Sequence, residues 1–109
     1  MSIIESFEVM IAKGQDSTLL RFGLAQAYMK DKQYTKAVEH FLKTLEHDHG
    51  YSAAWKLLGK TYTELNETDK AIETFTQGIE IAEQKGDIQA AKEMRVFLKR
   101  LQKPESAQA

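Results

Sequence analysis

The sequence predicts an all-α fold, a solenoid of stacked helix pairs with about six helices in one domain over residues 1–104. A set of residues recurs at a constant offset of 34: Leu24 and Leu58, Tyr28 and Tyr62, Ala37 and Ala71, Phe41 and Phe75. The segments outside these repeats also carry apolar residues at helical spacing, Ile3, Phe7, Met10 and Ile11 near the start and Ala90, Met94, Phe97 and Leu101 near the end. Turn-forming residues, among them Gly14, Asn66 and Gly86, separate the periodic stretches.

The pattern has a physical basis. Small residues at Ala25, Ala37, Gly59 and Ala71 let neighbouring helices approach, and Leu24, Leu58, Tyr28, Tyr62, Phe41 and Phe75 fill the space between them. A lone helix pair cannot bury its apolar face, so stacked neighbours must cover it. The aromatic and aliphatic stripe is therefore read as core rather than as a ligand box.

The first helix is expected from about Ser2 to Lys13, within a half repeat over residues 1–14 that Gly14 closes. Ile3 and Phe7 stand one period before Ala37 and Phe41, so this helix matches the second helix of a pair. Asp16 or Ser17 is expected to cap the next helix, which runs to about Lys30 and opens repeat 1 over 17–50. Asp31-Lys32-Gln33 turns the chain into a partner helix ending near His47. Repeat 2 covers 51–85, with Ser52 as the expected cap for the helix bearing Trp55. Asn66 suits a left-handed turn position, and Thr68 or Asp69 is the expected cap of a helix reaching Lys85. Gly86 ends that helix, and Asp87 caps a closing helix over 87–103 before Pro104. Residues 105–109 are expected to fray.

Trp55, Leu58, Gly59, Tyr62, Ala71 and Phe75 fit W-x2-L-G-x2-Y…A-x3-F, and on these residues the chain resembles the tetratricopeptide-repeat family. The earlier copy keeps Leu24, Tyr28, Ala37 and Phe41 but has Arg21 at the Trp position and Ala25 at the Gly position. His49 and Glu83 stand where a closing proline is common. The resemblance implies a right-handed superhelix of antiparallel helix pairs, a last helix that caps the final repeat, and a binding rather than a catalytic role. It also implies that the first helix of each pair lines the concave face, where a peptide or protein segment would lie.

On that face the candidate binding residues are Phe22, Gln26 and Met29 in repeat 1 and Lys56 and Lys60 in repeat 2. Lys56 and Lys60 are one turn apart and project together, so an acidic side chain or C-terminal carboxylate is the expected complement. Arg95, with Lys92, Lys99 and Lys103, forms a row along the closing helix that reads first as a solvated face whose last charges complement the helix C-terminus, and second as an extension of this basic wall that makes Arg95 a further candidate binding residue. Some relatives use a clamp of lysines, arginines and asparagines. Asn66, the chain's one asparagine, falls in a turn, so no chaperone partner is implied. The alternative reading is a self-associating structural subunit, a homodimer burying apolar surface on Ile4, Phe7 or Ile11.

Composition narrows the classes further. A net charge of −1 offers no field toward nucleic acid or an anionic membrane. With no cysteine, disulfides, thiolate zinc sites and a thiol nucleophile are excluded. The start, Met1-Ser2-Ile3-Ile4-Glu5, has neither a basic region nor a long apolar run, so no signal peptide or membrane partner is read and the expected location is cytoplasmic. His47 and His49 flank Asp48, but no further ligands complete a metal site. No nucleophile elbow or phosphate-binding glycine loop is present, and no cofactor and no catalytic residue is expected.

Overall fold

Ser2 and Glu5 start the first helix by capping each other. The Glu5 N–H donates to Ser2 Oγ at 3.1 Å, and the Ser2 N–H donates to Glu5 Oε1 at 3.0 Å. In the computed structural model, which describes residues 1–103, six helices follow in order: α1 (Ile3–Ala12), α2 (Thr18–Lys30), α3 (Tyr34–His47), α4 (Ser52–Glu64), α5 (Thr68–Lys85) and α6 (Ile88–Gln102). There is no strand among the described residues. Pro104 and the tail expected at 105–109 lie outside them.

Helix boundaries follow local chemistry, with some corrections. Ser17 caps α2, accepting from the Leu20 N–H, and Asp87 caps α6, accepting from the Ala90 N–H. Asp16 does not cap; its carboxylate holds Arg21 instead. Ser52 is not a cap either. Tyr51 takes that position, and Ser52 is buried inside the first turn with its hydroxyl unpartnered. Glu67 precedes α5 without a side-chain cap, because Thr68 and Asp69 are already helical. Lys32 and Asn66, one period apart, both take left-handed backbone, at φ 61° and 59°. At each, the following N–H (Gln33, Glu67) returns to a tyrosine carbonyl (Tyr28, Tyr62), so the repeat is preserved in the turn as well as in the core.

Helices adjacent in sequence pack against each other, and α4 also packs against α2 and α6. This places α2, α4 and α6 in an inner row, with α1, α3 and α5 outside it. Leu24, Leu58 and Met94 mark equivalent buried points along the inner row, and Phe41 and Phe75 are wholly buried against it. Each such phenylalanine contributes about 2–3 kcal/mol of apolar transfer.

The small residues set the spacing. A Cβ added to Gly59 would stand 2.4 Å from Phe75 Cε1, so only glycine admits that ring. Gly78 does the same where the second repeat meets the closing helix. A Cβ there would lie 2.7 Å from both Met94 Sδ and Trp55 Cβ, which lets α6 close onto α4 and α5. The indole of Trp55 is buried and donates to the His49 carbonyl at 2.8 Å, pinning the α3–α4 loop.

Candidate partner-binding face

The inner row presents the candidate surface, and α6 covers more of it than sequence spacing suggests. Lys56 on α4 donates to Glu93 Oε1 on α6 at 2.7 Å, while Gln89 donates to the other carboxylate oxygen. The Lys56 hydrogen bond, then that of Gln89, holds the Glu93 carboxyl below the usual carboxylate range. Lys56 therefore has a carboxylate partner already. One turn on, Lys60 places Nζ 5.0 Å from the centroid of the Phe97 ring, and the Arg100 guanidinium stands 5.7 Å from the same centroid.

These groups border a cleft of about 230 Å³ between the ends of α2, α4 and α6. Met29, Phe75, Phe97 and Leu101 supply its apolar walls, and Lys60, Arg100, Thr63 and Glu64 its polar rim. Among the candidate residues, the structure brings Met29 and Lys60 together here. Gln26 instead faces a wider cleft beside α1, of about 750 Å³, with Ile3, Ile4, Gly23 and Lys30.

Phe22 is turned into the junction between repeats. Its ring lies 4.8 Å from that of Tyr51 and 6.0 Å from that of Phe41, so an aromatic that spacing places on the concave face serves packing. Arg95 forms an ion pair with Glu83 of α5, on the side of α6 away from Phe97, and does not extend the wall of the cleft. Arg100, Phe97 and Leu101 take that part. The apolar stripe of the closing helix contained Phe97 and Leu101, but nothing in it revealed which groove they would border.

A separate polar cluster replaces the missing tryptophan of the first repeat. Arg21 grips Asp16 with two parallel bonds of 2.7 and 2.8 Å and donates to His40 Nδ1 at 3.0 Å. A guanidinium only donates, so Nδ1 is the acceptor and the His40 proton sits on Nε2, 3.7 Å from Glu8 of α1. The His40 ring also stacks on Tyr28. Burial first, and the Arg21 charge second, push the His40 pKa down. The Asp16 carboxyl is lowered to about 2, chiefly by the Arg21 hydrogen bonds. His47 lies 3.1 Å from Asp16, whereas His49 stands edge-on to Trp55, so the two loop histidines serve different partners. Among the described residues no three His, Asp or Glu side chains gather in a metal-binding arrangement.

A family model for the tetratricopeptide repeat matches residues 15–84. The chain belongs to the tetratricopeptide-repeat family. It is 44% identical over 99 residues to the TPR repeat-containing protein PA0015 of Pseudomonas aeruginosa, an alignment covering 91% of this chain and 94% of that protein. The solution structure of protein BPP2914 from Bordetella parapertussis is 40% identical, with a TM-score of 0.83 over 93% of this chain and 88% of that one. A tetratricopeptide-repeat domain from Salinibacter ruber, 31% identical, gives a TM-score of 0.76 over 83% and 91% of the two chains. The expected superhelix of helix pairs is thus the fold of this tetratricopeptide-repeat protein, a fold associated with protein–protein interaction and typically non-catalytic. No helix among the described residues is long and apolar enough to cross a membrane.

Proposed function

We propose that this tetratricopeptide-repeat protein is a non-catalytic binding module for an extended segment of a partner protein. The segment lies along α2, α4 and α6, placing an apolar side chain in the Phe97 cleft and an acidic group against Lys60 and Arg100. The observation that carries the reading is the pair of cations flanking one aromatic ring above an apolar floor. The volume argues for a side chain rather than a cofactor, because small-molecule sites span about 300–1,000 Å³ and this cleft is smaller. Lys56 plays a lesser part, since binding an acid there means displacing Glu93. The cytoplasm is the proposed location.

Selection of a random peptide library against the wild type and a Lys60→Glu/Arg100→Glu variant tests this. The expected winners pair an aliphatic or aromatic residue with an adjacent acid or C-terminal carboxylate, and the variant does not retain them. In amide NMR spectra the selected peptide shifts Lys60, Phe97 and Leu101. Retention of the same peptides by the variant, or shifts confined to other helices, defeats the assignment.

A further inference from the structure

The two gaps between neighbouring outer helices differ, although the repeat sets equivalent positions around them. The backbones of α1 and α3 stay apart, as do those of α3 and α5, so α2 floors the first gap and α4 the second. In the first gap the chain supplies its own bridge. The His40 ring stacks on Tyr28, with centroids 5.4 Å apart and planes 8° from parallel, and Tyr28 is buried beneath it. His40 Nε2 reaches toward Glu8 of α1 and Glu39 of α3, and Arg21 rises from α2 to Nδ1. Ile4, Phe7 and Ile11, the surface expected to be left over for a dimer, rest partly buried against the core as well, Phe7 lying over Gly23.

One period later Thr74 stands at the His40 position, Leu42 at that of Glu8 and Trp55 at that of Arg21. Threonine has no ring to lay over Tyr62, leucine has no charge to reach across, and the Trp55 indole is turned to the His49 carbonyl. The second gap therefore stays open as a cleft of about 690 Å³, and Tyr62 is only half-buried where Tyr28 is buried. Val38, Leu42 and Leu45, at i, i+4 and i+7 on α3, form an apolar wall that runs on into an adjoining cleft sharing Leu42 and Tyr62.

The charges around this groove are negative and largely uncommitted. Glu73 of α5, which repeats Glu39, has no cation within ion-pair distance among the described residues. Glu46 of α3 has only Lys43 of its own helix, at 3.6 Å and open to water, a pair that holds it weakly. Lys70 also lines the rim, but it pairs with Glu67 and lies 5.8 Å from the Tyr62 centroid, just as Lys36 lies 5.5 Å from that of Tyr28. It thus repeats Lys36 and does not stand in for His40. A planar cation suits the vacant place best, because a guanidinium stacks on an aromatic face and pairs with carboxylates at its edge. A long apolar wall beside it suits the apolar face of a helix.

We propose that the groove between α3 and α5 takes an amphipathic helix of a partner protein. Its apolar side chains lie on the Val38–Leu42–Leu45 stripe, and its arginine sets a guanidinium over Tyr62 beside Glu73, where the first repeat has His40 over Tyr28. This site lies on the outer side of α4, away from the Phe97 cleft, and does not depend on it.

A displayed library of helical peptides tests the proposal, selected on the wild type and counter-selected on Glu46→Lys/Glu73→Lys. The winners should carry an arginine with aliphatic residues three and four positions away, and a synthetic winner should shift the amides of Leu42, Tyr62 and Gln77. Glu46→Gln/Glu73→Gln should weaken that peptide by at least about ten-fold. Thr74→His, which gives Tyr62 the ring cover that Tyr28 has, should block it, with circular dichroism checking that both variants fold. Lys60→Met/Arg100→Met should leave its affinity unchanged, which separates this groove from the Phe97 cleft. The proposal is overturned by a library without arginine-bearing winners, by full binding to Glu46→Gln/Glu73→Gln or to a folded Thr74→His, or by shifts confined to α2 and α6. A dimer in sedimentation that Leu42→Glu dissociates overturns it too, because the groove then belongs to a second copy.

Discussion

Lys60 of α4 and Phe97 of α6 meet as cation and ring, 5.0 Å apart, so the inner face of the second repeat and the closing helix build one feature. Lys56, one turn earlier on the same face, meets Glu93 instead. A lysine pair that looks equivalent along the helix is therefore unequal in the fold.

This inequality gives a binding prediction. With an acidic peptide selected as above, Lys60→Met should weaken affinity by about five- to ten-fold, the scale of a charge-assisted contact. Lys56→Met should leave it within about two-fold, because that lysine is already engaged and a surface pair contributes little. Isothermal titration separates the two, and equal losses would mean that both lysines reach the ligand.

The Gly59–Phe75 contact predicts a stability effect with no charge involved. Gly59→Ala sets a methyl group inside the Phe75 ring and should cost about 1–3 kcal/mol by overpacking. Phe75→Leu also destabilises, by leaving space. The double variant should be less damaged than the sum of the two, since each change relieves the other. Urea unfolding followed through Trp55, the only tryptophan, measures all three.

His40 predicts how stability depends on pH. It faces Arg21 and Tyr28 from α2, Glu8 from α1, Glu39 from its own helix and Asp16 from the loop. Its pKa is lowered in the fold, so below about 6.5 the unfolded chain takes up a proton that the folded chain resists. Stability should be full above that value and fall as pH drops through it. His40→Gln should flatten the curve below about pH 6.5. An unchanged slope in that variant would assign the titration elsewhere.

Asp16 acts lower on the scale. Its folded pKa of about 2, against 3.8 ordinarily, means that its contribution is present above 3.8 and lost as pH falls toward 2. In Arg21→Met the Asp16 carboxyl, followed by NMR, should titrate close to 3.8, because its main donor is gone. The same variant should lose about 1–2 kcal/mol, chiefly because buried His40 is left without its donor, Asp16 being open to water. A carboxyl that still titrates near 2 would show that His47 and the fold around it suffice.

The repeat is legible in the order of the amino acids alone. The constant offset linking Leu24, Tyr28, Ala37 and Phe41 to Leu58, Tyr62, Ala71 and Phe75 specifies which faces are apolar, and a period of that kind has one economical solution, the stacking of helix pairs. The sequence also marked Gly14, Asn66, Gly86 and Asp87 as boundaries, because left-handed backbone and helix capping are local chemistry. Which side chains share a surface depends instead on how the helices pack. Phe22 went into the junction with Tyr51, Arg95 turned to Glu83, and Arg100 and Phe97 joined Lys60 and Met29. Arg21, a departure from the motif in sequence, became the centre of the Asp16–His40 cluster. These pairings depend on how each helix is rotated against neighbours distant in the chain. That rotation is set by packing at contacts such as Gly59 on Phe75 and Gly78 on Trp55, which periodicity along a single helix does not encode.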